Sequence, residues 1–151
     1  MKPSGQYFRA GIGAIIQDRR GHVLACERAD IPGAWQLPQG GLDADEEPMQ
    51  AALREIAEET GIPSVELTLI GQYPDLLAYE LPAQARSEKT GRGQVQYWFL
   101  FRYQGGTVRL PKGREFKACG WMRFDDLIPR VATFKQPVYL KLATYFSTQL
   151  T

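Results

Sequence analysis

The sequence predicts an α+β fold in which a mixed β-sheet is sandwiched between α-helices. Three observations predict it: apolar runs of strand length at residues 9–17 and 94–103, an acidic helix with an apolar face between Pro48 and Gly61, and a second amphipathic helix after Pro137. Elements that each carry one apolar face must bury those faces on one another, which they do as layers.

Residues 9–17 (RAGIGAIIQ) are apolar and partly β-branched, as suits a buried strand. Asp18-Arg19-Arg20-Gly21 reads as a turn, with glycine where positive φ is expected. Residues 22–28 (HVLACER) alternate apolar and polar, so the two strands predict a hairpin with His22 exposed beside its turn. Residues 29–38 are rich in turn formers, and Gln39-Gly40-Gly41 follows. Glycines there serve either a tight turn or the close approach of backbone to a ligand. The helix begins near Pro48 and stops at Gly61, because glycine adopts the left-handed C-terminal conformation cheaply. Residues 65–79 hold a strand or two, broken by Pro74. Residues 81–93 (LPAQARSEKTGRG) are polar and basic, and read as a mobile surface loop. Residues 94–103 (QVQYWFLFRY) give the strongest strand signal and belong at the centre of the sheet. Gln104-Gly105-Gly106 turns the chain, residues 107–110 are available to pair back, residues 111–117 form a charged loop, and residues 118–124 form a further short strand. Asp125 is the expected N-cap of a short helix over residues 126–128. Pro137 fits the first turn of the last helix, on which Val138, Leu142, Tyr145 and Phe146 share a docking face.

A chain of 151 residues suits one domain, spanning residues 1–151, and its 44% hydrophobic and 23% charged residues are those of a soluble globule. The net charge of +1 excludes a general polyanion binder, so any nucleic-acid contact must be local. Cys26 and Cys119 lack metal-ligand or CxxC spacing and read as isolated, reduced, buried thiols of a cytoplasmic protein. A single histidine, His22, argues against a His-based zinc site and against a Ser-His-Asp triad. The stretch MKPSGQYFRAG has no apolar core of signal-peptide length, and no run approaches the roughly 18 apolar residues of a membrane span.

The chemistry concentrates in the acidic helix. At about 100° per residue, Glu55, Glu58 and Glu59 share one face, while Leu53, Ile56, Ala57 and Thr60 take the other, which packs on the sheet. Glu46 precedes the helix. Three like charges on one face repel each other, and a hard divalent cation relieves that repulsion. Mg²⁺ prefers oxygen ligands and keeps phosphate oxygens and waters in its shell. A solvated acidic face is the alternative reading, and the flanking residues decide between the two.

Gly40, five residues, Glu46, seven residues and Arg54-Glu55-Ile56-Ala57-Glu58-Glu59-Thr60-Gly61-Ile62 match G-x5-E-x7-R-E-U-x-E-E-x-G-U, where U is bulky and apolar. This resembles the Nudix box, and all nine of its specified positions are filled within twenty-three residues. The resemblance implies a Nudix fold and hydrolysis of a phosphoanhydride with Mg²⁺, or Mn²⁺ in its place. Glu55, Glu58 and Glu59 are the candidates for metal binding and water activation, with a carbonyl at Gly40 able to join the metal shell. The resemblance favours Glu58 and Glu59 as ligands and makes Arg54 a supporting residue, ion-paired to a neighbouring glutamate, with Glu46 and Gly61 as further structural support.

Other segments resemble the bacterial RNA pyrophosphohydrolases and their dinucleoside-polyphosphate-hydrolysing relatives. They are Trp35-Gln36-Leu37-Pro38-Gln39-Gly40-Gly41, Gln94 with Trp98-Phe99-Leu100, and Phe134-Lys135 with Val138-Tyr139. Tyr79, seventeen positions after Ile62, also fits that subgroup, where ADP-ribose hydrolases tend to carry a proline. Glu115-Phe116 followed by Gly120-Trp121 is similar to the segment that supplies an extra carboxylate, so Glu115 joins the catalytic and metal-binding candidates. By the same resemblance Arg9 and Arg28 face phosphates or stack on a base, Phe134 supplies another stacking face, and Lys135 a cation beside it. Lys112, Arg114 and Lys117 add a basic rim. The likeness departs at Tyr97, where lysine is common, and in the loop of residues 81–93. The expected substrate is a nucleoside polyphosphate, first a 5′-triphosphorylated RNA end that loses pyrophosphate, and alternatively a dinucleoside polyphosphate of the diadenosine tetraphosphate type. A non-catalytic nucleotide-binding module is the third reading, and the intact acidic set argues against it.

Overall fold

The computed structural model describes residues 7–105, 108 and 115–150. Strands β1 (Phe8–Gln17) and β7 (Gly93–Tyr103) run parallel from Phe8↔Gly93 to Gln17↔Arg102 and form the middle of an eight-stranded mixed sheet. β2 (Val23–Arg28) leaves the hairpin at Gln17↔Val23. It then pairs with β3 (Trp35–Gln36) and β8 (Phe116–Met122). The place beside β1 that β2 gives up goes to β4 (Gln39–Gly41), with Ile12 opposite Gly40. β5 (Leu67–Gln72) and β6 (Leu77–Glu80) pair with β7, on either side of Pro74 as expected.

Alternation along the strands creates two cores. Ile12, Ala14, Ile16, Phe99 and Phe101 point to one face, where helix α1 (Pro48–Thr60) covers them with Ala51, Ala52 and Ile56. Ile15, Trp98 and Leu100 point to the other. There they meet α2 (Phe124–Leu127) and α3 (Gln136–Tyr145) through Phe124, Leu127, Val138, Tyr139 and Leu142. The predicted sandwich is thus the observed one. Gly13 makes room for the Trp98 ring, which a Cβ there would meet at 2.4 Å. Trp98 packs edge-on against Tyr139 at 5.8 Å, and the Tyr139 hydroxyl accepts a hydrogen bond from the Leu37 amide at 2.8 Å. The last helix therefore fixes the segment that leads into β4.

Several local expectations are corrected. Ala57 is exposed, and Glu59 is buried with Ile56 and Thr60. The period of the helix is as read, but its sheet-facing side is centred further round, because α1 lies over β1 and β4. α2 begins at Phe124 without a side-chain cap, since burial of Phe124 and Leu127 sets its start rather than Asp125. Tyr145 is exposed and lies edge-on to Tyr73, while Tyr139 takes its place in the docking face. His22 is half-buried, its amide held by the Asp18 carboxylate at 3.0 Å. Residues 81–93 are built rather than bare. They contain a short 3₁₀ turn (Ala83–Ala85), a Ser87–Gly91 bridge, and Arg86 and Arg92 paired with Glu80 at 3.3 and 3.1 Å. Of the expected pairing over residues 107–110, all but Val108 lies outside the described residues, as do Lys112 and Arg114. Lys117 is described and pairs with Glu27 at 3.5 Å. Among the described residues no helix is long and apolar enough to cross a membrane.

Candidate active site

Pro48 at the first position of α1 and Gly61 at its end, with φ of 77° and its amide bonded to the Ala57 carbonyl, frame the acidic segment. Arg54 organises what lies between. Its Nε and Nη2 donate to the two Glu46 oxygens at 2.8 and 2.9 Å, and Nη2 also donates to the Gly41 carbonyl at 3.1 Å. Nη1 donates to Glu55 at 2.9 Å and more loosely to Glu58 at 3.4 Å. One guanidinium thus ties the loop before the helix, strand β4 and the helix together. Its hydrogen bond to Arg54, followed by one from the Asp43 amide, holds the Glu46 carboxyl below its ordinary value.

The Glu55 carboxylate lies directly on β4. A Cβ at Gly40 would meet the Glu55 carboxyl carbon at 2.1 Å. Glu58 is exposed. Glu59 is buried, and neither of its oxygens has a hydrogen-bond donor. Burial first, then the adjacent Glu55 carboxyl and the charge of Glu115, push its pKa up to about 10, against a small opposing pull from the Gln39 backbone amide. Glu115 arrives from the far end of the chain, one residue ahead of β8, its carbonyl accepting from the Ala29 amide at 2.9 Å. It is exposed at the rim. Its pKa is nevertheless raised, by desolvation first and then by the Glu55 charge, with Arg28 acting in the opposite sense. Glu55, Glu58, Glu59 and Glu115 therefore feel one another's charges.

This donor set fits a divalent cation. A buried carboxylate with two orphaned oxygens, crowded by like charges, is stabilised by a hard cation and by little else. As they stand, no three acidic side chains among the described residues form a ready-made cage. Glu55 is turned toward Arg54, and ion binding would require it to exchange that partner.

A pocket of about 160 Å³ lies beside the acidic group and is lined by Arg9, Arg28, Tyr79, Phe134 and Lys135. The five residues expected to contact substrate come from β1, β2, β6 and the turn before α3, and the fold gathers them in one place. Arg28 holds Asp30 with two parallel bonds, at 2.9 and 2.6 Å, which fixes its guanidinium plane and leaves the face for stacking. Arg9 Nη2 comes so close to Gly41 that a Cβ there would lie 2.9 Å from it. The Tyr79 and Phe134 rings are 5.7 Å apart. Lys135 is buried beneath them, its Nζ bonded to Gln36 Oε1 at 3.0 Å and 5.4 Å from the centre of the Tyr79 ring. Burial first, then repulsion from Arg28, pushes its pKa down to about 8. Reading by residue type missed Gln36, Gln39 and Gln94, which also line the pocket. The bond from Gln39 to the Tyr79 hydroxyl at 3.1 Å could be found only from the fold. A larger cleft of about 650 Å³ continues past Arg28, Phe134 and Lys135, toward Trp35, Pro82 and Val131.

Lys135 yields an expected result. Its folded pKa lies below the roughly 10.4 of an unfolded lysine, so the charged form is disfavoured by folding. The corresponding stability is present above the unfolded value and lost as pH falls through about 8. Replacing Lys135 with methionine should therefore raise Tm more at pH 7 than at pH 10. Where Lys135 is a substrate contact, loss of its charge above about pH 8 should also make the KM of the parent protein climb. The variant should show a higher KM without that climb. Melting curves and KM profiles between pH 6.5 and 9.5 check both.

A NUDIX domain model matches residues 7–142. The RNA pyrophosphohydrolase of Cereibacter sphaeroides is 37% identical over 150 residues, covering 95% of this chain and 93% of the relative. That of Rhodospirillum rubrum is 39% identical over 145 residues, covering 92% and 87%. Among solved structures, the C. elegans Ap4A hydrolase binary complex superposes with a TM-score of 0.72 at 22% identity, over 93% of this chain and 98% of that one. The E. coli dihydroneopterin triphosphate pyrophosphohydrolase gives 0.74 at 21%, over 91% and 97%. At such identities the structures speak for the fold alone. The match over most of the length, on a fold that carries an unbroken Nudix box, places this chain in the NUDIX family of hydrolases.

Proposed function

We propose that the protein is a magnesium-dependent pyrophosphohydrolase that removes pyrophosphate from 5′-triphosphorylated RNA. The observation that carries this reading is the junction of two sites: the acidic face of α1 adjoins a pocket where Arg9, Arg28, Tyr79, Phe134 and Lys135 converge. The RNA pyrophosphohydrolases at 37% and 39% identity support it. Mn²⁺ can replace Mg²⁺ on the same oxygen ligands, and the reading implies a cytoplasmic enzyme, where such RNA ends occur.

Glu55, Glu58 and Glu59 would hold the ion, with the Gly40 carbonyl and Glu115 completing the group. When bound, the cation neutralises polyphosphate oxygens and acidifies water. The protein's own residues supply the rest. Arg9 and Lys135 draw the phosphates in, and Arg54, bonded to Glu46 and to the Gly41 carbonyl, holds the loop and β4 against the acidic helix. The Arg28 plane and the Phe134 ring hold an unpaired base between them, worth about 1–3 kcal/mol per stacked base. One carboxylate of the group formed by Glu55, Glu58, Glu59 and Glu115 would accept the proton of the attacking water.

The cleft beyond Phe134 favours one other reading, since about 650 Å³ also suffices for the second nucleoside of a dinucleoside polyphosphate. Rates on 5′-triphosphorylated RNA and on diadenosine tetraphosphate, at matched concentrations with Mg²⁺, separate the two. RNA is expected to be cleaved faster, leaving a 5′-monophosphate end. Much faster cleavage of the dinucleotide would select the second reading.

A further inference from the structure

Cys26 and Cys119 are not isolated in the fold. They are register partners across β2 and β8, 93 positions apart in sequence, with their sulfurs 3.0 Å apart. That is about 1 Å longer than a disulfide bond, so only a small approach of the two sulfurs separates the pair from one. Cys26 is fully buried and Cys119 half-buried, so a reagent from solvent reaches Cys119 first. The contact with Cys26 also pulls the Cys119 pKa down, while that of Cys26 is pushed up and Cys26 keeps its proton.

We propose that Cys26 and Cys119 are a reversible disulfide site, closed by a peroxide, that clamps β8 to β2. The Cys119 thiolate attacks one peroxide oxygen, the O–O bond breaks, and the departing oxygen leaves as water, giving a sulfenic acid. The Cys26 sulfur then attacks Cys119 Sγ. The S–S bond forms, the S–O bond breaks, and the hydroxyl leaves as water with the Cys26 proton. Two thiols lose two electrons and two protons while the peroxide becomes two waters, and a dithiol reductant reverses the change. The clamp lies close to the site, for Glu115 immediately precedes β8 and Arg28 ends β2 two residues past Cys26. It closes a loop of more than ninety residues, long enough to raise Tm by on the order of 10 °C.

The test uses the full chain as parent protein, Cys26→Ser and Cys119→Ser, each treated with dilute hydrogen peroxide, quenched, and alkylated after unfolding. The parent is expected to lose two hydrogens in intact mass and to resist alkylation at both cysteines. It should run as a monomer on a non-reducing gel and melt higher until dithiothreitol is added. Neither variant should gain stability. Two alkylatable thiols in the treated parent, covalent dimers, or an unchanged or lowered Tm would overturn the proposal. None of these readouts depends on the substrate, so failure here and failure of the RNA reading are distinguishable.

Discussion

Replacing Glu59 with glutamine should cut turnover by about 10²–10⁴-fold while raising the stability of the metal-free protein. The first effect follows if Glu59 supplies a charge that the reaction needs. The second follows from burial, since its oxygens have no donor and its pKa is pushed up to about 10, far above the roughly 4.3 of an unfolded glutamate. A carboxyl raised in this way holds its proton in the folded state. Its contribution to stability is complete below the unfolded value and is lost as pH rises through the folded one. Between about pH 4 and pH 10 the metal-free parent should therefore lose stability relative to Glu59→Gln. Thermal melts in a chelator at pH 5 and pH 9 measure this, and the gap should widen at the higher pH. Saturating Mg²⁺ should narrow it by stabilising the parent alone.

Changing Gly40 to alanine should have a comparable effect on turnover with little loss of fold. The new methyl would stand 2.1 to 2.5 Å from the three carboxyl atoms of Glu55, so that side chain must swing away. Because the obstacle is the far end of a flexible side chain and not backbone, the sheet is spared. Displacement of a catalytic group by about 1 Å costs on the order of 10²-fold, and the loss should fall on kcat more than on KM. Circular dichroism and Tm check the fold, and steady-state kinetics check the site. A variant with full activity would show that the contact between β4 and Glu55 has no part in the chemistry.

The sheet and its helices were legible because their signals are local. The parallel partner of β1 was not, since nothing in residues 9–17 names residues 93–103 as its neighbour. The acidic helix was legible in period but not in phase, because a 3.6-residue repeat cannot say which side of α1 overlies the junction of β1 and β4. That single uncertainty turned Glu59 inward and Ala57 outward. Tyr145 and Tyr139 exchanged roles for the same reason. The pocket residues Arg9, Arg28, Tyr79, Phe134 and Lys135 lie on segments up to 126 positions apart, and only resemblance grouped them beforehand. Composition and spacing alone would have left Arg28 as a strand-end charge and Phe134 as a core anchor. Gln39 and Gln94 stood in segments that carry the resemblance, but nothing in those segments said that they line the same pocket. The cysteines misled because spacing along the chain says nothing of cross-strand register.

Anomalous diffraction from crystals soaked in Mn²⁺ would locate the ion itself. A manganese ion is expected among Glu55, Glu58 and Glu59, with Glu55 turned away from Arg54 toward the ion, and no ion there in crystals of Glu59→Gln. A manganese ion bound elsewhere, with the acidic face of α1 empty and Glu59 still unpartnered, would contradict this assignment of the metal site.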